Sequence, residues 1–161
     1  MPQQTDSRTG AHIRHSVTVP VSAERAFDVF TAGIGAWWPR AYTWSGDVLE
    51  RIGIEPREGG MCFEIGPHGF RCDWGRVLVW KPPQRIVFLW QISPRRVPEP
   101  NPEKASEVEV RFTAEGPARA RVDLEHRHFE KHGEEAALYR EGMDSPQGWA
   151  YILARYAAAT V

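Results

Sequence analysis

Apolar and polar residues alternate through most of this chain, a pattern typical of strands that have one covered and one wet face. The alternation is most regular on either side of the turn at Glu115-Gly116-Pro117, over residues 107–112 and 120–125. The apolar positions in these two runs are Val108, Val110, Phe112, Ala120, Val122 and Leu124. The pattern predicts two antiparallel strands whose apolar sides face a covering layer.

Five more runs of this kind predict further strands, separated by turn residues. In chain order they extend over residues 12–20, 48–55, 61–65, 70–80 and 86–90. The residues expected to point inward are Met61, Phe63 and Ile65 in the third run, and Ile86, Phe88 and Trp90 in the fifth.

The inward side of the fourth run is ambiguous. Trp74 and Leu78 favour one parity, whereas Val77 and Val79 favour the other. A bulge at Gly75 would reconcile the two, because one extra residue switches the side to which a strand points its side chains.

Two helices are predicted between the first and second strands. Ser22 suits the N-cap of a helix that continues to about Thr31, and Gly33 breaks it. A second, short helix from Ile34 to Trp38 stops before Pro39, because the residue before a proline disfavours helical geometry.

A long helix is predicted at the end of the chain. Ser145 suits its N-cap and Pro146 its first position, where a missing N–H costs nothing. The apolar residues Trp149, Ile152, Leu153 and Tyr156 then recur at helical spacing up to Ala159. This stripe predicts a helix on the concave face of a curved sheet, with space for a ligand between the two layers. A plain core helix without a cavity is the alternative.

Composition narrows the class of protein. With 161 residues, one domain over residues 12–161 is expected, preceded by a polar, disordered leader over residues 1–11. A net charge of −1 argues against nucleic acid or an anionic membrane as a partner. The absence of a long apolar run or signal peptide, together with only two cysteines, predicts a reduced cytoplasmic protein. Seven tryptophans and seven phenylalanines suit a pocket for flat or apolar molecules.

Histidines provide the leading candidate for catalysis. His126 and His128 continue the inward parity of the last strand, so both are expected near the cavity mouth. There an imidazole could donate a hydrogen bond to a ligand or act as a general base. The alternative is a histidine that bonds a backbone group near the rim.

Other polar groups allow weaker hypotheses. Cys62, His68 and Cys72 flank one hairpin, but their spacing fits no zinc site, so free thiols are favoured and no metal is expected. Arg71 or Arg76 could face inward and bind a carboxylate, although a wet sheet face is the ordinary location.

A pair of carboxylates and a proline-rich segment each allow two interpretations. Glu64 and Asp73 could form a carboxylate pair across the hairpin, but solvent-facing side chains are favoured. The proline-rich segment 93–104 is either a lid or a passive connection. No dinucleotide, phosphate-loop or nucleophile-elbow motif occurs, so no cofactor is expected.

The order of these elements and several short stretches resemble a known superfamily. The stretches are Val19 to Phe27, Trp37-Trp38, Trp74 to Val77, Pro82 to Phe88, Leu124-Glu125-His126 and Gly148-Trp149. They are similar to the START-like superfamily, also called SRPBCC, and within it to the branch related to the activator of the Hsp90 chaperone's ATPase. The resemblance covers about residues 13–159 and implies an α+β helix-grip fold of order β-α-α-β-β-β-β-β-β-α.

The resemblance also implies a ligand cavity between the last helix and the sheet, and a small apolar or aromatic molecule as the partner of a monomer or homodimer. The expected ligand-binding residues are Trp38, Phe63, Phe88, Trp90, Val110, Phe112, His126, Trp149, Ile152, Leu153 and Tyr156. Two alternatives remain. One is a cyclase, dehydratase or hydrolase that uses His126, and the other is a protein-interaction module with an apolar patch around Trp37 and Trp44.

Overall fold

The computed structural model describes residues 12–161, so the leader predicted over residues 1–11 lies outside the described residues. Seven strands form one antiparallel sheet. They are β1 (Ile13–Val19), β2 (Arg51–Ile54), β3 (Met61–Ile65), β4 (Arg71–Lys81), β5 (Arg85–Trp90), β6 (Ser106–Gly116) and β7 (Arg119–Arg127). Their spatial order is β1-β7-β6-β5-β4-β3-β2, so the last six strands form a meander and β1 pairs with its end.

Three helices accompany the sheet: α1 (Ala23–Phe30), α2 (Ala136–Met143) and α3 (Trp149–Ala159). As predicted, Ser22 caps α1, where its hydroxyl accepts a hydrogen bond from the Arg25 backbone N–H at 3.1 Å. The core lies between the inner face of the curled sheet and helices α1 and α3. The predicted α+β helix-grip fold is therefore confirmed.

Two predicted elements are shorter in the structure. The second helix, predicted over residues 34–38, is a single 3-10 turn at Ile34–Ala36. The strand predicted from residue 48 begins at Arg51, because residues Gly46–Val48 form another 3-10 turn.

The final helix also begins later than predicted, at Trp149. Ser145 is not its N-cap, since its hydroxyl donates to the carbonyl of Gly142 at 2.6 Å and closes the turn after α2. Gly148 allows the chain to return closely, because a Cβ there would lie 2.1 Å from the carbonyl oxygen of Met143. Helix α2, which precedes this turn, is an additional element in the order of the fold.

Strand β3 has the opposite facing to the prediction. Cys62 and Glu64 point inward, and Phe63 lies on the outer face of the sheet. There the guanidinium groups of Arg51 and Arg71 stand 5.2 and 4.7 Å from the centre of the Phe63 ring and cover it. The hydrophobicity of Phe63 was therefore a poor guide to its direction.

Strand β4 resolves its ambiguous parity with two irregularities in register. Trp74 has no opposite residue on β3, and Leu78 has none on β5. Each extra residue shifts the facing of the strand, so Trp74 and Val77 both reach the core although their parities differ. The bulge predicted at Gly75 lies one residue earlier.

Candidate functional site

A cavity of about 510 Å³ opens beside the first turns of α3. Its floor is the inner face of β2, β3, β4 and β5. Its other walls come from residues 41–44, from the turn that joins α2 to α3, and from Ile152. This volume is in the range of sites for drug-sized molecules.

Tryptophans form the deep wall of the cavity. Trp38 stacks on Trp74 with ring centres 5.6 Å apart and an interplanar angle of 23°. Trp90 lies 6.2 Å from Trp38 and 5.9 Å from Trp74. The indole N–H of Trp74 has no acceptor among residues 12–161, so this wall carries an unpaired donor. Flat, apolar faces of this kind suit contact with a planar ring system.

Tyr139 fixes the orientation of one of these tryptophans. Its hydroxyl accepts a hydrogen bond from Trp90 Nε1 at 2.7 Å and donates to the carbonyl of Ile92 at 2.8 Å. Burial raises the pKa of Tyr139 to about 12, which keeps the hydroxyl protonated and able to donate. The wall is thereby anchored by α2 as well as by the sheet.

The neighbouring tryptophans 37 and 38 point to different sides, because adjacent residues in a helical turn do not face the same way. Trp37 is buried in the core and donates its N–H to the carbonyl of Val29 at 2.8 Å, whereas Trp38 lines the cavity. Trp37 therefore contributes to no exposed patch with Trp44, and the apolar patch that would favour the interaction-module alternative does not form from these two residues.

The segment 41–44 crosses the cavity mouth and is tied to both of its sides. The Tyr42 hydroxyl donates to the carbonyl of Gln147 at 2.7 Å. The Trp44 indole donates to the carbonyl of Arg96 at 2.9 Å. Arg96 lies in the segment 93–104 and has a left-handed backbone with a φ of 66°, which is uncommon for a non-glycine residue. That segment thus contributes to the cavity wall through Arg96.

Glu64 brings a carboxylate into the same wall. It is 1% exposed, and its two oxygens accept hydrogen bonds from the backbone N–H groups of Trp44 at 3.2 Å and Ser45 at 2.7 Å. The predicted solvent-facing location of Glu64 is therefore wrong. Its inward direction could not be found from hydrophobicity, because strand β3 buries residues on both faces.

The predicted ligand-binding residues fall into three groups. Trp38, Trp90 and Ile152 line the cavity. Phe63 lies on the opposite face of the sheet, as described above. The remaining ones are packed in the core behind the cavity, and they are Phe88, Val110, Phe112, His126, Trp149, Leu153 and Tyr156. The sequence analysis missed Trp74, Glu64 and Arg96 as wall residues, and Tyr42 and Trp44 line the cavity although they were not among the expected ligand-binding residues.

His126 points inward as predicted but is fully buried and holds both ring nitrogens in hydrogen bonds. Its Nδ1 accepts from Trp149 Nε1 at 2.9 Å. An indole can only donate, so the neutral imidazole carries its proton on Nε2, which lies 2.7 Å from Ser106 Oγ. Burial lowers the pKa of His126 well below its usual value. This geometry does not favour His126 as an acid or base for a ligand in the cavity.

The chain of hydrogen bonds continues to a second histidine. Ser106 Oγ also lies 2.7 Å from His132 Nε2. The Ser106 hydroxyl accepts the hydrogen bond from His126 Nε2 and therefore donates its own proton to His132 Nε2. The proton of the neutral His132 ring is then on Nδ1, and that atom has no hydrogen-bond partner among the described residues. Burial lowers the pKa of His132 to about 4. The two histidines are thus neutral structural groups at neutral pH.

The other candidate residues from the sequence do not line the cavity. His128 leaves the strand with a left-handed backbone and lies 3.7 Å from Glu130, away from the cavity. Cys62 and Cys72 are buried free thiols. Arg71 is on the outer face, and Arg76 is exposed. Within residues 12–161, no three His, Cys, Asp or Glu side chains are placed to hold a metal ion.

A curved antiparallel sheet closed by a C-terminal helix, with a cavity between them, defines the class as the START-like, or SRPBCC, helix-grip proteins. Residues 20–159 match the model of the family described as activator of Hsp90 ATPase homolog 1-like protein, and the chain belongs to this family. The resemblance in the sequence is therefore confirmed.

Two solved structures are similar in sequence as well as in fold. The anthrahydroquino-gamma-pyrone synthase Txn09, solved in complex with a molecule designated SUM, is 33% identical with a TM-score of 0.66, and the match covers 93% of this chain and 96% of that one. CalC, a self-sacrificing resistance protein from Micromonospora echinospora, is 29% identical with a TM-score of 0.65, over 92% and 93% of the two chains.

Protein NE0264 from Nitrosomonas europaea shares the fold alone, with 13% identity, a TM-score of 0.63 and a match over 91% of this chain and 92% of that one. None of the curated proteins matches this chain. Among the described residues, no helix combines the length and apolar character that crossing a membrane requires.

Proposed function

We propose that this protein binds a planar aromatic small molecule in the cavity beside the start of α3. The observation that carries the proposal is the wall of three mutually contacting tryptophans, Trp38, Trp74 and Trp90, around a space of about 510 Å³. Ile152 closes the wall from the helix. A ring system that packs against these faces removes apolar surface from water on both partners, which favours binding.

One solved relative supports an aromatic ligand. The name of Txn09 gives it an anthrahydroquino-gamma-pyrone as product, which is a fused ring system. At 33% identity over nearly the whole of both chains, a related ligand class is a reasonable expectation for this cavity. We therefore take three-ring aromatic compounds as the first probes.

Calorimetric titration with anthraquinone and 9-hydroxyphenanthrene tests the proposal. We expect saturable binding by the wild type and a loss of affinity of about tenfold or more in Trp38→Leu, because a well-packed aromatic contact contributes on the order of 1–2 kcal/mol. Trp80→Leu is the matched control, since Trp80 packs on Phe27 at the other end of the sheet with ring centres 5.1 Å apart. Absence of binding, or equal losses in both variants, would contradict the proposal.

A second candidate function is chemical conversion of the bound molecule. The name of Txn09, a synthase, favours this function. The catalytic residue that the sequence predicted does not support it, because His126 lies outside the cavity wall. Mass spectrometry of a probe recovered after incubation with the protein separates the two functions. An unchanged probe indicates binding alone.

We further propose that residues 12–161 fold as one unit that works in the cytoplasm without a cofactor, as a monomer or homodimer. The buried thiols Cys62 and Cys72 are consistent with a reducing compartment. A single cooperative unfolding transition tests the folding unit, light scattering of the purified protein tests the oligomeric state, and the location of a fluorescent fusion tests the compartment. Native mass spectrometry of the purified protein tests whether a cofactor is bound.

A further inference from the structure

Two glutamates are buried in the described part of the sheet, and their surroundings differ. Glu109 is on the outer face, with Arg85 Nε at 2.6 Å, Arg111 Nη2 at 2.7 Å and Arg127 also in contact. Burial by itself would raise the pKa of Glu109, but hydrogen bonds from Arg127 and Arg85 and the charge of Arg111 lower it. Glu109 is therefore a carboxylate whose partners are all supplied by the chain.

Glu64 has no such partners. Among residues 12–161 no arginine, lysine or histidine lies within ion-pair distance of it. The donors to its oxygens within this described range are the backbone N–H groups of Trp44 and Ser45 alone. A carboxylate offers about four acceptor positions, so about two remain open on a side chain that is 1% exposed. Unfilled acceptors at a buried site are costly, which favours a donor from outside the chain.

The open acceptor positions belong to a side chain of the cavity wall, next to the tryptophans that we propose as the aromatic site. We infer that Glu64 recognises a hydroxyl group on the aromatic ligand, whose O–H donates to a carboxylate oxygen. This inference rests on the proposed function. A neutral hydroxyl is favoured over an ammonium group because Arg96 lines the same cavity and offsets the attraction of Glu64 for a cation.

The expected consequence is selectivity for hydroxylated rings. In 9-methoxyphenanthrene the donor of 9-hydroxyphenanthrene is replaced by an ether while the three rings are kept. The wild type should bind the hydroxyl compound about tenfold or more tightly, since a buried polar group left unpaired strongly disfavours the analogue. In Glu64→Gln the preference should fall to about threefold or less, because the charge that strengthens the hydrogen bond is gone.

Glu64 also accepts hydrogen bonds from the backbone of Trp44 and Ser45, so Glu64→Gln could weaken binding by loosening this segment. A control variant must therefore loosen the segment and leave the carboxylate in place. Arg40→Ala does this, because Arg40 Nη1 donates to the carbonyl of Leu49 at 3.0 Å and Arg40 does not line the cavity. We expect Arg40→Ala to keep the full preference for the hydroxyl compound, even where both affinities fall together.

Titration of the two compounds into these three proteins decides the matter. Loss of the preference in Glu64→Gln alone supports the inference. Equal binding of both compounds by the wild type, or an unchanged preference in Glu64→Gln, overturns the inference and leaves the aromatic site standing. Binding of neither compound overturns both.

If Glu64→Gln does not fold, a crystal structure of the wild type with 9-hydroxyphenanthrene gives the answer. A ligand hydroxyl about 2.5–3.0 Å from a Glu64 oxygen supports the inference. A hydroxyl that points away from Glu64 overturns it.

Discussion

Helix α3 meets the sheet in two different ways along its length. Toward its C-terminal end the interface is solid, and Phe30 packs against both Tyr156 and Phe112 with ring centres 5.2 and 5.8 Å away. Toward its N-terminal end Trp149 still packs against Trp38 and Trp90, with ring centres 6.1 and 5.4 Å away, but the interface beside Ile152 opens into the cavity.

The difference follows from what covers each end of the sheet. Helix α1 packs on β6 and β7 and fills the solid end with its apolar side. Over β3, β4 and β5 the second layer consists of the segment 41–44 and the turn after α2. Irregular segments do not fill a concave face as completely as a helix does. The interface between α3 and the sheet is therefore packed at the end covered by α1 and leaves a cavity at the other end.

The largest expected effects test this division directly. Leu153 and Ile152 are adjacent in α3 and both buried, but only Ile152 lines the cavity. Leu153→Ala should reduce the free energy of unfolding by about 3–5 kcal/mol, and Ile152→Ala by about 2 kcal/mol, because fewer close contacts are lost beside an existing cavity.

Urea unfolding measures both variants, and calorimetric titration with anthraquinone completes the comparison. Only Ile152→Ala should change the affinity for anthraquinone. Equal losses of stability together with unchanged affinity would show that the two ends do not differ.

Tyr139→Phe should have the next largest effect. The change leaves the Trp90 N–H without its acceptor in the cavity wall, so we expect a loss of about 1–3 kcal/mol in unfolding free energy. The affinity for the aromatic probe should also fall, since Trp90 is no longer held in place. Tyr151→Phe is the control, because Tyr151 is 41% exposed and lies outside the wall. Equal effects of the two changes would argue against the anchoring role of Tyr139.

Acid should weaken the fold through His132. Its pKa is about 4 in the folded state against an ordinary 6.5, so its contribution to stability is present above pH 6.5 and is lost as the pH falls toward 4. Between these values the unfolded state binds one more proton. His132→Gln should therefore reduce the slope of unfolding free energy against pH by about 1 kcal/mol per pH unit. This slope is smaller than that for one whole proton, because His132 is partly exposed to water.

Urea unfolding at pH 7, 5.5 and 4.5 measures this slope. His68→Asn serves as the control, because His68 is an exposed turn residue with a left-handed backbone that asparagine tolerates. An identical slope in the wild type and in His132→Gln would contradict the assignment of a neutral, buried His132.

The smallest effect on stability is expected for Tyr42→Phe. The change removes one bond across the cavity mouth, from Tyr42 to the carbonyl of Gln147, on a side chain that is 42% exposed. Unfolding free energy should change by less than about 1 kcal/mol, whereas the probe should enter and leave faster. Stopped-flow fluorescence with 9-hydroxyphenanthrene measures both rates. Unchanged rates would show that the segment 41–44 does not restrict entry.

The sequence predicted the packed end of the interface between α3 and the sheet better than the end that contains the cavity. Val108, Val110 and Phe112 alternate with charged residues, so their facing was plain, and the structure places all three in the core. At the cavity end, the apolar–polar pattern gives the wrong facing for Phe63 and Glu64. The Phe63 ring lies on the outer face under two arginine side chains, whereas the Glu64 carboxylate turns inward.

Trp38, Trp90 and Ile152 were predicted in the cavity wall, but the rest of the wall could not be predicted, for two physical reasons. The facing of Trp74 depends on an irregular register in β4, which periodicity does not reveal. The mouth is formed by Tyr42 and Trp44 through hydrogen bonds to backbone carbonyls more than fifty residues away in the chain, at Gln147 and Arg96. Such contacts follow from the tertiary fold and leave no local signature.

A crystal structure of the protein with anthraquinone tests the central claim most directly. The account predicts the ring system in the space bounded by Trp38, Trp90 and Ile152, with one face against an indole. Anthraquinone bound elsewhere, or the same space occupied by the side chains of Tyr42 and Trp44, would contradict it.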